Sequence, residues 1–224
     1  VNGCGSGPNS TLPITIDELP TMGIVSGEQT VCAGSTYDYT TTIIPNALSY
    51  LWTLPDGSTI STTTNTISIA FAASATSGNL SVQGNNSCGL GASSAALPIT
   101  VQSQPTLTST LTPPSICSDE TFEYVPTSAL ASTTYSWTRA VISGISNAAG
   151  SGTGIISEVL TNTSSVTIPV NYIIALTSED GCTDSETITV DVHPNPILTS
   201  STLVAAICSG DQFNRTLTSN VTGS

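Results

Sequence analysis

The chain contains no lysine, and its two basic side chains, Arg139 and Arg215, face 15 carboxylates, for a formal charge of −13. Sequence-independent nucleic-acid binding needs clustered Lys and Arg to neutralise phosphates, so that class is excluded. Docking on an anionic membrane surface fails for the same reason. One histidine, His193, lies between Val192 and Pro194. Without Lys or a second His, the many serines and threonines lack an obvious activating base, so no enzyme and no cofactor are expected. No apolar run approaches the roughly 20 residues that span a bilayer, so no membrane insertion is expected in this segment. Aromatic residues make up 5% of the chain, which leaves few for a stacking surface once a core is filled.

In place of charge there is Thr, Ser, Gly, Pro and Asn, interspersed with short runs of Ile, Val, Leu and Ala. That composition favours strands and turns over helices. With 224 residues, 38% of them hydrophobic, the chain can fill two modest cores. Six cysteines, none in a Cys-x-x-Cys pair, fit zinc poorly and structural disulfides well, which points to an extracellular compartment.

An internal repeat organises these features. Cys32, Cys117 and Cys208 each precede an aromatic residue by five positions (Tyr37, Phe122, Phe213). Tyr50-Leu51-Trp52 and Tyr135-Ser136-Trp137 place a tryptophan 20 residues after Cys32 and Cys117. A second cysteine, Cys4, Cys88 or Cys182, precedes a closing Ile-Thr strand that starts at Ile14, Ile99 or Ile188 and reaches a proline six residues on (Pro20, Pro105, Pro194). The order Cys, aromatic, Trp, Cys, Ile-Thr, Pro occurs whole twice, with tryptophans 85 residues apart, which suits a free-standing domain better than a solenoid unit. The expected plan is therefore 1–20 as the end of a preceding repeat, 21–105 and 106–196 as full repeats, and 197–224 as the start of a following one. Within repeats, 66–71, 79–84, 165–170 and 186–192 alternate apolar with small polar residues, as half-buried strands do. Pro55-Asp56-Gly57 and Asp180-Gly181 supply turns. The fold class is all-β: tandem Ig-like antiparallel β-sandwiches in series.

At Tyr50-Leu51-Trp52-Thr53-Leu54-Pro55-Asp56-Gly57, with the cysteine pair and closing strand, the chain resembles the PKD-like, Ig-fold repeats of large bacterial surface adhesins, such as the SprB-type gliding adhesins exported by type 9 secretion. The second repeat departs from that pattern: Trp137 leads into Thr138-Arg139-Ala140 and a longer loop, 143–154, without Asp-Gly. The resemblance implies a surface-exposed, secreted chain used for spacing, adhesion or motility. It also implies one disulfide per repeat, Cys32 to Cys88 and Cys117 to Cys182, with Trp52 and Trp137 packed on them and Tyr37 and Phe122 in the core. Tyr50 and Tyr135 are expected on the opposite face of their strands. Cys4 and Cys208 are expected to pair outside the chain, leaving Ile14, Ile16 and Phe213 exposed.

Asp180, Asp184 and Glu186 are weak calcium candidates, for they lack the spacing of an EF-hand loop and have no counterpart in the first repeat; solvated acidic loops are the simpler reading. The tryptophans would serve as sugar platforms only if exposed. The leading functional expectation is a structural stalk at the bacterial cell surface, its partners being adjacent repeats of a longer polypeptide. The rival is recognition of surface glycans or surface proteins by the divergent loops 54–65 and 138–154.

Overall fold

The structure, a computed structural model, describes residues 11–14, 16–201 and 206–221. Every regular element among them is a strand: β1 (Val25–Ser26), β2 (Thr30–Cys32), β3 (Thr36–Thr41), β4 (Ser49–Thr53), β5 (Thr59–Thr62), β6 (Thr66–Ala70), β7 (Gly78–Asn86), β8 (Gly89–Leu90), β9 (Leu97–Gln102), β10 (Ile116–Cys117), β11 (Thr121–Tyr124), β12 (Thr134–Arg139), β13 (Gly150–Thr153), β14 (Ile156–Val159), β15 (Ile168–Thr177) and β16 (Thr183–His193). They form two compact units, Val1–Gln102 and Ser103–Ser224.

In the first unit, β1, β3 and β6 make one sheet; β2, β9, β7, β4 and β5 make the other, with β8 folded back on β7. Thr66-Ile67-Ser68-Ile69-Ala70 shows how the sequence builds this: the isoleucines are buried and their neighbours exposed, the period of two that a strand imposes. Side chains from both sheets (Tyr39, Ile67 and Ile69 from one; Val31, Trp52, Leu80, Val82 and Ile99 from the other) form one core. Each large aliphatic side chain so buried contributes about 1.5–3 kcal/mol relative to exposure.

The opening segment changes sheets. β1 runs antiparallel to β3, whereas β2, only a few residues later, runs parallel to β9 with Val31 opposite Val101. The crossing passes close over Tyr39, where a Cβ on Gly27 would lie 2.3 Å from the ring, so only glycine fits there. The second unit repeats the parallel pairing, Ile116 opposite Val192 in β10–β16, within the sheet β10-β16-β15-β12-β13; its smaller sheet is β11-β14. The sandwiches are thus antiparallel except for one parallel pair each.

Both tryptophans are buried, Trp52 at 0% and Trp137 at 8% exposure, and Phe122 lies in the second core. Tyr37 is only half-buried, its ring edge-on to Phe71. The tyrosines of the Tyr-x-Trp strands are not on the opposite face. Tyr50 is buried beside Trp52, and Tyr135 packs part-buried on the same core as Trp137, because residues two apart on a strand share a face.

Residues 197–201 and 217–221 repeat the local bonding of the second unit's opening. Leu107 bridges Ser128 as Leu198 bridges Ser219, and the threonine hydroxyl pairs Thr108/Thr127 and Thr199/Thr218 both lie 2.9 Å apart. Ile14, Ile16 and Phe213 are exposed.

Candidate functional site

The four cysteines of the two full repeats lie at or beside strand ends rather than in strand middles. The residue two positions after each opening cysteine, Gly34, Asp119 or Gly210, has positive φ, and an i to i+3 backbone bond closes the turn in all three (Ser35 to Cys32, Glu120 to Cys117, Asp211 to Cys208). Cys32 and Cys117 stand in register with Gln102 and His193, at the ends of the closing strands β9 and β16. Cys88 lies instead in the tight turn between β7 and β8, and Cys182 in the turn between β15 and β16; Asn86 Oδ1 accepts from the Cys88 N–H and Ser178 Oγ from that of Cys182.

This arrangement overturns the expected pairing. Cys32 and Cys182 are each disulfide-bonded, whereas Cys88 and Cys117 are free and exposed, so neither Cys32–Cys88 nor Cys117–Cys182 exists. The reason is distance. Cys182 adjoins Thr183 at one end of the 11-residue β16, and Cys117 faces His193 at the other. At about 3.3 Å per residue the strand holds them roughly 30 Å apart, whereas a disulfide needs Cα atoms within about 7 Å. In the first unit Gly78, opposite Ile99, starts β7 near the end that holds Cys32, and the nine residues of β7 carry the chain away to Cys88. Cys208 is free and exposed; Cys4 lies outside the described residues.

The tryptophans therefore pack without a disulfide of their own repeat. Trp52 donates from Nε1 to Thr62 Oγ1 on β5 at 3.1 Å. Trp137 meets Tyr172 edge-on at 5.7 Å and covers Gly152, but its Nε1 is buried with no partner. Neither ring is open to a sugar.

Besides the shared apolar core, an ion pair ties the two sheets of the second unit. Arg139 on β12, its side chain 1% exposed, donates from Nε and Nη2 to Glu158 on β14 at 2.8 and 3.1 Å, and from Nη2 to Ala148 O at 2.8 Å. Tyr172 on β15 donates its hydroxyl to Glu158 Oε2 at 2.8 Å. Burial alone would push the Glu158 carboxyl up; hydrogen bonds from Arg139 and Tyr172, with the Arg139 charge, outweigh it and hold the carboxyl below its ordinary value. Burial pushes the Tyr172 phenol up, and the bond to Glu158 adds to it. Nothing in the spacing of Arg139 and Glu158 announced this pair; an isolated arginine two residues past a core tryptophan, and so on its face, was the available signal.

The divergent loops are partly structural. In the first unit, Gly57 at φ 82° closes an exposed turn in which Asp56 Oδ1 accepts from Ser58 N and Oγ, holding the Asp56 carboxyl low. In the second, the longer loop inserts Ile145 into the core and fastens Asn147 to Val159 and Thr161. Asp184 and Glu186 sit part-exposed along β16 with Asp180 exposed in the turn before it, and no group of three metal-ligating side chains gathers among the described residues. The calcium candidates are thus not brought together. His193 shares a 2.8 Å hydrogen bond with Thr167 through Nδ1.

Comparison with known proteins finds a family described as "PKD-like domain" matching residues 18–99, and a second family of the same description matching 114–196. No curated protein matches the chain. Similar solved structures include the insect immune protein hemolin (13% identity, TM-score 0.39, 79% of this chain and 47% of hemolin covered). Others are the three N-terminal domains of the bacteriophage RB49 outer capsid protein Hoc (16%, 0.34, 90% and 70%) and the FN1–FN3 domains of chicken CNTN1 (13%, 0.37, 78% and 68%). The chain thus spans about half of hemolin, and at these TM-scores none of the likenesses bears on function.

Proposed function

Because the chain belongs to the PKD-like domain family and carries two such domains in series, we propose that it is a stalk segment of a secreted bacterial surface adhesin, of the kind used in surface attachment or gliding. One observation carries this reading: the part of the molecule that varies most between the repeats is committed to structure. The long loop of the second unit spends Ile145 on the core and is held from beneath by Arg139. A recognition loop would keep such groups for a ligand. Both tryptophans are buried as well, so neither offers a platform for sugar rings. The disulfide-bonded cysteines and the scarcity of charge suit an extracellular location, and no catalytic role belongs to the proposal.

A glycan array probed with the whole chain tests the reading. A spacer gives no saturable binding. Specific binding at micromolar affinity, lost when 54–65 or 138–154 is replaced by the other repeat's loop, would make the sandwiches recognition modules instead.

A further inference from the structure

The smaller sheet of each unit ends on a strand whose outer edge is open in one repeat and closed in the other. In the first unit that strand is β6, Thr66-Ile67-Ser68-Ile69-Ala70, last in the order β1-β3-β6. Thr41 N donates to Asn65 O and Phe71 N to Ser35 O. By the alternation of an antiparallel ladder, the backbone groups of Ile67 and Ile69 then turn toward β3, and those of Thr66, Ser68 and Ala70 turn outward. Among the described residues, the outward groups of Ser68 and Ala70 find no partner, and Thr66 O accepts from Thr64 Oγ1 at a long 3.4 Å.

The equivalent strand of the second unit is β14. Gly34 N and Asp119 N, each two residues past an opening cysteine, donate to Phe71 O and Leu160 O, which aligns Ala70 with Val159. There the edge is closed. The long loop lays Asn147 along it, donating from Nδ2 to Val159 O at 2.7 Å and accepting from Thr161 N through Oδ1 at 3.0 Å, so one side-chain amide stands in for the peptide group of a further strand. Ser146 N adds a bond to Thr161 O, and Ile145 bridges Asn162. The first unit has the short Pro55-Asp56-Gly57 turn in place of that loop. Open edges in monomeric proteins are usually blunted by lysine, proline, charge or a bulge. β6 has none of these: its ladder to β3 is unbroken and its side chains are uncharged.

We propose that β6 is a docking edge for β6 of a second copy of this chain, the two strands running antiparallel about Ser68. Thr-Ile-Ser-Ile-Ala reads nearly the same in both directions, which selects a second copy over a foreign strand. A two-fold axis at Ser68 puts that residue opposite itself, the outward groups of Thr66 opposite those of Ala70, and Ile67 opposite Ile69 on the core face. The charge of −13 on each chain does not oppose this. Asp38, the carboxylate opposite Ser68 on β3, accepts from Ser68 Oγ. Across the joined sheet its two copies stand three strand spacings apart, about 14 Å, past the screening length of about 8 Å at physiological salt. Pairing of this kind is strand addition to a sheet edge, and it gives the chain a lateral partner through its first repeat and not through its second.

The inference adds lateral pairing to the spacer reading, and the two fail separately. The whole chain, its free thiols alkylated, is followed by sedimentation equilibrium from about 10 µM to about 1 mM. Its mass should double as concentration rises. Ser68→Pro removes an outward N–H and leaves the bonds to β3 in place, so the doubling should be lost while the first unit still melts cooperatively. Ser68→Cys decides the matter if proline unfolds the repeat: opposed residues of such a pair stand about 5.5 Å apart, within disulfide reach, so oxidation should join two copies through the introduced thiols. A single-chain mass throughout, an association that survives Ser68→Pro in a folded first unit, or crosslinks through native cysteines alone would overturn the edge pairing and leave the spacer standing. Specific glycan binding would overturn the spacer and leave the edge pairing untouched.

Discussion

The two repeats share a frame and differ in how the face around the tryptophan is completed. In the first, Leu54 stands where the second has Arg139, and the tryptophan N–H finds a threonine on β5. In the second, glycine at 152 lets the indole lie flat on β13, its N–H is left without a partner, and an Arg–Glu–Tyr cluster links the sheets. Equal topology is thus reached once by apolar filling and once by a buried ion pair. The second solution leaves the unit sensitive to changes the first never meets.

The largest effect should come from breaking that pair. Glu158→Ala leaves a guanidinium buried at 1% exposure and should destabilise the second unit by about 3–5 kcal/mol, while the first unit melts unchanged. Two calorimetric transitions, of which only one moves, are the expected record; a common shift of both would show that the cluster does not belong to one unit.

Next in size is Gly152→Ala. Its Cβ would meet the Trp137 ring at 2.7 Å, and overpacking of that kind costs about 1–3 kcal/mol. An alanine variant with an unaltered urea midpoint would mean that the indole moves aside freely.

Acid should also separate the repeats. The Glu158 carboxyl is held below its ordinary value in the folded state, so its contribution is present above the unfolded value of about 4.3 and disappears as pH falls through the lower folded one. The second unit should therefore lose stability at and below about pH 4. In the first unit Asp56 is held low chiefly by Ser58 in an exposed turn, so acid there acts on a surface loop rather than on a sheet-to-sheet link. Unfolding followed separately through each tryptophan between pH 6 and 2.5 would show whether the second repeat goes first.

The smallest contrast lies in the indoles. Trp52→Phe removes a hydrogen bond along with volume, whereas Trp137→Phe removes volume and a buried donor that had no acceptor. The first substitution should cost about 1 kcal/mol more than the second. Equal costs would indicate a partner for Trp137 Nε1.

Repeat number, strand alternation, the buried tryptophans and the all-β class follow from local rules, because burial of Trp52 or Ile67 needs only a strand with one face inward. The disulfide plan does not. Cysteine spacing gives separation along the chain, and an Ig-type pairing needs both residues mid-strand on facing sheets. The turn residues beside each cysteine, Gly34, Asp119 and Gly181, were a signal that these lie at strand ends.

What the sequence by itself determined is which residues alternate, where turns fall and how many sandwiches the chain holds, since these depend on side-chain period and backbone freedom within a few residues. Tertiary structure alone decided that Cys117 and Cys182 stand at opposite ends of β16, that β2 and β10 pair in parallel, and that Arg139 reaches Glu158 in the other sheet. Each depends on which end of a strand, or which sheet, a distant segment meets, and that is settled by packing the whole core at once.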